Sequence, residues 1–240
     1  MKILITNDDG IHAPGLAHLV NWAKQYGEVT VAAPTVEQSA KSHAIEIHKP
    51  FRATQEELPG CVKAYSVGST PADCVRYAVS GLKQTYDLCI SGINRGLNIG
   101  ADIMYSGTVA AVFEAANLGM RAMAVSTAPK SFDTAVSNLD RVWNYIREHK
   151  LLELHPAYNI NIPLEVRGLR ITRQGGPYYS DRFLPREDHM YEPDGYSVYR
   201  PSSSDELDTD AVLTDRCISI MPLTVDRTDL QVFRQLRAKQ

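Results

Sequence analysis

Lys2-Ile3-Leu4-Ile5-Thr6, then Asn7-Asp8-Asp9-Gly10, then Leu16, Leu19, Val20 and Ala23: this opening stretch decides the fold. The first piece is a short β-branched run, the form a buried strand takes. The second is a polar turn. The third repeats at i, i+3, i+4 and i+7, which places four apolar side chains on one face of a helix. Gly27 ends that helix, and residues 29–33 form the next apolar run, closed by Pro34. Strand, helix and strand in this order predict a parallel pair joined by a crossover helix.

The alternation continues. In residues 44–48, Ile45 and Ile47 share one face, which predicts a half-buried strand. Residues 63–67 and 87–91 are further strand candidates. Between them, Thr70-Pro71 reads as a helix cap followed by an N-terminal proline, with Asp73 in the first turn. Val75, Val79 and Leu82 would form the buried stripe of that helix. A loop spaced by Gly92, Gly96, Gly100 and Gly107 leads to a helix with Val109, Val112, Phe113 and Ala116 at helical spacing, ended by Gly119. A strand at 122–126 and a helix marked by Leu139, Val142, Trp143 and Ile146 follow. The prediction is an α/β fold with a doubly wound, mostly parallel sheet covered on both faces.

From residue 155 to 222 the chain changes character. Strand-like pieces fall at 159–162, 169–173, 197–199 and 217–221, and Tyr178, Tyr179, Tyr191, Tyr196 and Tyr199 cluster. This predicts a C-terminal antiparallel, β-hairpin extension in place of a continued wound sheet. It is either a covering hairpin or an arm exchanged between subunits. Leu230, Phe233 and Leu236 predict a terminal helix within residues 226–240. The whole of 1–240 reads as one domain, with a core at 1–150 and the extension from about 155 to 240.

The 28 acidic residues slightly outnumber the 25 basic ones, for a net charge of −3, so no basic surplus points to long nucleic acid. No apolar run approaches the roughly 20 residues that span a bilayer. The apolar N-terminus reaches Asn7 too soon for a secretory signal, so the expected location is the cytoplasm. Cys61, Cys74, Cys89 and Cys217 form no C-x-x-C pair and read as structural residues, not as a zinc cage.

In a doubly wound sheet, ligands bind beyond the carboxyl ends of the strands. Three segments fall there. Asp8 and Asp9 follow the first strand. Two adjacent carboxylates repel when desolvated, and a bound hard cation such as Mg²⁺, Mn²⁺ or Ca²⁺ removes that cost. Alternatively, Asp8 caps the next helix and Asp9 is solvated. Residues 34–43 bring Gln38, Ser39, Ser42 and His43 after the second strand. Residues 91–108 run from a strand end to a helix N-terminus, with Ser106, Gly107 and Thr108 at the junction. Hydroxyls, a glycine and free N–H groups there suit an anion. Neither a Walker loop nor G-x-G-x-x-G is present. A carboxylate-held metal beside an anion cradle suits phosphate ester hydrolysis.

Asn7-Asp8-Asp9-Gly10-Ile11-His12-Ala13-Pro14-Gly15 resembles the opening motif of the SurE family, the stationary-phase survival proteins. Ser91-Gly92-Ile93-Asn94-Arg95-Gly96-x-Asn98-x-Gly100, continued by Tyr105-Ser106-Gly107-Thr108-Val109, resembles a second family motif. Gly68-x-Thr70-Pro71-x-Asp73-Cys74-Val75, Asn159-Ile160-Asn161-Ile162-Pro163, and Thr209-Asp210 with the strand before Pro222-Leu223 extend the match over essentially the whole chain. The resemblance implies a Rossmann-like core with a protruding arm, and a dimer or tetramer built by exchange of C-terminal elements. It implies a metal-dependent nucleotidase acting on nucleoside 5′- and 3′-monophosphates and on short polyphosphate.

Carried over by motif, the ligands of one divalent ion per subunit are Asp8, Asp9, Ser39 and Asn94. The phosphate cradle is Asn98 with Ser106, Gly107 and Thr108. His12 and His43 lie in motifs expected to border the site. Two departures are Thr35, where the family usually carries aspartate, and Lys41 among small residues; Lys41 either pairs with phosphate or faces solvent. The expected chemistry is in-line attack on phosphorus by a metal-bound water, with Asp8 and Asp9 holding the ion and one of the two orienting the water as a base. Two rivals are an aspartyl-phosphate phosphatase and a non-catalytic nucleotide-binding module. Tyr105 and the tyrosines near 178–199 are candidates for base stacking or for packing.

Overall fold

The computed structural model describes residues 1–202 and 204–239. Eleven strands and seven α-helices are formed among them. The first βαβ unit is β1 (Lys2–Thr6), α1 (Pro14–Ala23) and β2 (Glu28–Pro34), with β1 and β2 parallel from Lys2 beside Glu28 to Ile5 beside Val31. There follow β3 (Ala53–Glu56), β4 (Lys63–Val67), α2 (Pro71–Arg76), β5 (Leu88–Arg95), α3 (Gly107–Asn117), β6 (Arg121–Thr127), α4 (Asp133–Glu148), α5 (Leu151–Leu154) and β7 (Ala157–Ile162). The remainder is β8 (Gly168–Ile171), β9 (Tyr179–Pro185), β10 (Tyr191–Ser197), α6 (Asp208–Leu213), β11 (Cys217–Pro222) and α7 (Leu230–Arg237).

The main sheet has nine strands in the order β3-β4-β2-β1-β5-β6-β7-β11-β8. It is parallel from β4 through β7, and β11 and β8 are parallel to each other; β3 and β11 enter antiparallel to their inner neighbours. The doubly wound, mostly parallel α/β architecture read from the periodicity is present. Both faces are buried. Ile3, Ile5, Val29 and Val31 pack beneath α1 and α4 through Leu16, Leu19, Val142 and Trp143. Leu4, Ala32 and Cys89 point to the opposite core, under α2 and α3 through Val75, Val109 and Val112. Alternate residues of β1 therefore feed two cores, which is why it reads as an unbroken apolar run. Each buried aliphatic side chain contributes roughly 1.5–3 kcal/mol.

The chain moves outward from β1 to β2 and later crosses back to place β5 on the other side of β1. That reversal is the switch point, where adjacent loops diverge and leave a crevice at the strands' carboxyl ends.

Several local expectations differ from the structure. Residues 44–48 are not a strand, and Ile45 and Ile47 are 41% and 70% exposed. Their backbone groups are taken by side chains instead: the Glu46 N–H donates to Asp73 Oδ2 at 2.7 Å, and the Thr70 hydroxyl donates to the Ala44 carbonyl at 2.7 Å. The edge strand is β3, whose polar Ala53-Thr54-Gln55-Glu56 carries no apolar alternation. After α2 a π-helical turn at Tyr77–Gly81 adds a residue, so Ala78 is fully buried where Val79 was expected. In the second half, β7, β8 and β11 join the main sheet. The separate antiparallel sheet is the β9–β10 hairpin alone, with Tyr179 paired to Ser197 and Pro185 to Tyr191. No helix among the described residues is long and apolar enough to cross a membrane.

Candidate functional site

Asp8 and Asp9 leave β1 at the switch point. The turn closes through Gly10, whose φ of +101° suits glycine, and through the Asn7 amide, which donates to the Gly10 carbonyl at 2.8 Å. The Gln38 N–H donates to the Asp8 carbonyl at 2.7 Å, so the loop after β2 is tied to the same turn. On the other side, β5 pairs with β6 through a bulge between Gly92 and Asn94. Bulges re-aim the residue that follows, and Asn94 and Arg95 both line the crevice.

The resulting cavity measures about 340 Å³. It brings together Asp8, Asp9, Ser39, Asn94, Asn98 and Ser106 from the expected set. It also contains Glu37, Arg95 and Asp102, which the sequence did not single out as site residues, and Tyr105, noted there only for stacking. Local signals for the three are weak, since each is a single charged residue in a loop (Glu37), at a strand end (Arg95) or in a short turn (Asp102).

Asp8 is buried, and its carboxyl is pushed up to about 6 chiefly by that burial; the Asp9 charge adds to the rise and the Thr108 hydroxyl opposes it. Thr108 donates to Asp8 Oδ1 at 2.5 Å from the first turn of α3. Its hydroxyl is thus committed to Asp8 and does not line the cavity. Asp9, half-buried, is also raised, by burial first, with the Glu37 charge adding. Its Oδ2 accepts from the Arg95 N–H at 3.3 Å. Neither aspartate is in an ion pair among the described residues.

Ser106 caps α3, its oxygen accepting from the Val109 N–H at 3.1 Å. The helix therefore presents its N-terminal N–H groups beside Asp8. Gly107 is required for that approach, because a Cβ there would lie 2.9 Å from Asp8 Cβ.

Asn98 is held from behind. Its carbonyl accepts from the amides of Asn159 and Asn161, both at 2.8 Å, and its N–H donates to Asn161 Oδ1 at 2.8 Å. Its own amide donates to Ser126 Oγ at 2.8 Å. This accounts for Asn159-Ile160-Asn161: its two asparagines position Asn98. Asp208 does the same for the next turn, accepting from the Gly100 and Gly175 N–H groups at 2.9 and 2.7 Å.

Neither histidine lines this cavity, contrary to the expectation that both border it. The His12 side chain is 70% exposed and faces Glu56 at 3.2 Å. His43 turns away to Glu114 Oε2 at 2.8 Å. Lys41 is exposed and in no ion pair among the described residues.

The donor chemistry fits a hard divalent cation. Two desolvated carboxylates stand side by side, and Asn94 donates its N–H to the Gly96 carbonyl at 2.8 Å, leaving its amide oxygen to coordinate. Four acidic residues (Asp8, Asp9, Glu37 and Asp102) and one basic residue, Arg95, line the cavity, and Asp102 Oδ2 is buried without a hydrogen-bond partner among the described residues. A phosphate would be repelled unless positive charge entered with it. Among the described residues no three His, Cys, Asp or Glu side chains form a ready cage, so neutral oxygens must complete the set.

The model of the family described as Survival protein SurE matches residues 3–181. The chain is 37% identical to the 5′-nucleotidase SurE of Natranaerobius thermophilus over 98% of this chain and 97% of that one. It is 38% identical to the 5′-nucleotidase SurE of Syntrophotalea carbinolica, over 98% and 96%. The crystal structure of the SurE protein from Aquifex aeolicus superposes with a TM-score of 0.78 at 31% identity, covering 99% of each chain. On sequence and fold together, this chain belongs to the SurE family.

Proposed function

We propose that this chain hydrolyses nucleoside 5′- and 3′-monophosphates to nucleoside and phosphate, and short polyphosphate as a further substrate, with one Mg²⁺ or Mn²⁺ per subunit. The chain is a nucleotidase, the activity for which its 37% and 38% identical relatives are named. One observation carries the finer reading: two desolvated carboxylates share a cavity with the N-terminus of α3.

Asp8, Asp9, Ser39 and Asn94 would hold the ion, which supplies Lewis-acid polarisation of the phosphoryl oxygens. Thr108 fixes the Asp8 carboxylate so that it reaches the site without rearrangement. Asp9 is the more exposed of the pair and is available to orient water and accept its proton. Asn98, Ser106 and the N–H groups around Gly107 would bind the phosphoryl oxygens, where developing charge is greatest. Arg95 adds a fixed positive charge; its guanidinium lies over the Phe132 ring at 5.5 Å. The test is phosphate release from AMP and 3′-AMP with Mn²⁺ or Mg²⁺. Release that stops on adding EDTA and returns with excess metal is expected; release indifferent to EDTA would overturn the metal requirement.

The same reading includes a homodimer or homotetramer. α7 buries none of its residues, and Leu230, Phe233 and Leu236 are all about half exposed or more, at 49–59%. Phe183, Met190 and Tyr191 are 63–67% exposed on and beside the β9–β10 hairpin. Apolar surface of this extent on an arm and a terminal helix suits exchange with a second copy. Light scattering should give a multiple of 26.6 kDa for the native chain. Phe233→Asp with Leu236→Asp should lower that mass. A native monomer would end the proposal.

A further inference from the structure

Among the described residues that line the acid-rich cavity, Arg95 alone is basic. Its guanidinium forms no ion pair and donates no hydrogen bond among them. Its place is nonetheless fixed. Arg95 ends β5 paired with Thr127, and the next N–H, that of Gly96, donates to the Thr127 carbonyl at 2.9 Å. The side chain lies over the Phe132 ring, 5.5 Å from its centroid. That ring is buried and stands 5.6 Å from the His18 ring. It packs so closely on the start of α1 that a Cβ on Gly15 would lie 2.9 Å from Phe132 Cε1. A guanidinium resting on an aromatic face keeps its N–H donors free at the edge, in the fork that matches a phosphate.

The two aspartates divide the crevice. Asp8 turns to α3, where Thr108 donates to it and Gly107 abuts it. Asp9 turns to β5 and accepts from the Arg95 N–H. The α3 cradle and the guanidinium therefore stand on opposite sides of the pair: α3 covers one face of the sheet, and Phe132 belongs to the core on the other. Charge decides what Arg95 can serve. A phosphate monoester brings about two negative charges, which one divalent ion offsets. A phosphoanhydride chain brings more into a cavity that already holds four acidic residues, and each further charge must meet a cation or be repelled.

We propose that Arg95, held on Phe132, binds a second phosphoryl group, so that the crevice takes a short phosphoanhydride chain with its terminal phosphoryl group in the α3 cradle and the adjoining one on the guanidinium. The proposal deepens the reading above and rests on its phosphate cradle. In hydrolysis of such a chain, water adds to the terminal phosphorus and gives a proton to Asp9. The P–O–P bond breaks, and its electron pair stays on the oxygen of the shortened chain, beside Arg95. That leaving oxygen needs no proton, which suits a cavity that neither His12 nor His43 lines. Phe132 touches no substrate and is a positioning residue.

The test measures binding first, by titration calorimetry of native protein at a fixed free Mg²⁺ concentration. Inorganic triphosphate should bind more tightly than orthophosphate. Its Kd should rise about tenfold in Arg95→Gln and about threefold in Arg95→Lys, which keeps the charge without the fork. Phe132→Leu should raise it about threefold, and both substitutions together no more than Arg95→Gln alone, because the ring acts only through the guanidinium. Orthophosphate should weaken less in every variant. In a second assay, the ratio of kcat/KM for triphosphate to that for AMP should fall about tenfold in Arg95→Gln, with the change in KM. No preference for triphosphate in the native protein, or a triphosphate Kd unchanged in Arg95→Gln, overturns the proposal. Equal weakening of both anions also overturns it, by assigning Arg95 to the phosphoryl group that is cleaved. If native protein releases no phosphate from AMP, the nucleotidase reading fails, and the calorimetry still decides the role of Arg95.

Discussion

Asp8→Asn should lower phosphate release by roughly 10³-fold and, in metal-free protein at pH 8, raise the melting temperature. The two effects have one cause. Burial raises the Asp8 carboxyl from its usual 3.8 to about 6, so folding favours its protonated form. The stability that this supplies is complete below about 3.8. It is lost as pH rises through about 6. Above that window both folded and unfolded chains carry the charge, and only the folded chain holds it away from water. The gap corresponds to roughly 3 kcal/mol. Asparagine removes the charge and keeps an oxygen for the Thr108 hydroxyl, so the penalty disappears. For a chain of this size the gain is several degrees. Calorimetry in EDTA at pH 4 and pH 8 checks it: the variant should gain at pH 8 and show little gain at pH 4. Loss of stability at pH 8, or full phosphate release, would contradict the assignment of Asp8.

Gly107→Ala should lower kcat/KM by about 10²-fold while the fold persists. The added methyl would sit 2.9 Å from Asp8 Cβ and 3.1 Å from Asp8 Oδ2, with Pro71 Cγ at 3.1 Å on another side. Contacts that short must relax, and the shift falls on the Asp8 side chain that Thr108 otherwise holds in place. A displacement of order 1 Å in a reacting group costs about this factor. Gly107 is the first residue of α3, so alanine gains there only a fraction of the roughly 1 kcal/mol it gains in a helix interior, and the crowding is little offset in thermal stability. Circular dichroism and kinetics on the same preparation separate the two: a cooperative, somewhat lowered melt with depressed kcat/KM is expected, and native kinetics would show that the junction tolerates a side chain.

Much of the fold could be read before any coordinates. β1, α1 and β2 announce themselves because strand and helix periods are local, and a strand buried on both faces has to be apolar throughout. Segments whose backbone is satisfied by distant side chains were misread. Residues 44–48 alternate like a strand, yet Asp73 and Thr70 take their hydrogen bonds. The edge strand β3 and the hairpin strands β9 and β10 lack a buried face, so no apolar period marks them.

At the site, the sequence alone determined that the loops after β1, β2 and β5 carry carboxylates, hydroxyls and an anion-friendly helix start, because a wound sheet sends those loops to one end. Tertiary structure decided which atoms meet there. It added Glu37, Arg95 and Asp102, turned His12 and His43 away, and set Asn159 and Asn161 behind Asn98. Asp8 and Thr108, or Asn98 and Asn161, lie 100 and 63 positions apart. Contacts at that range depend on strand register and on the bulge in β5, and neither leaves a local pattern in the chain.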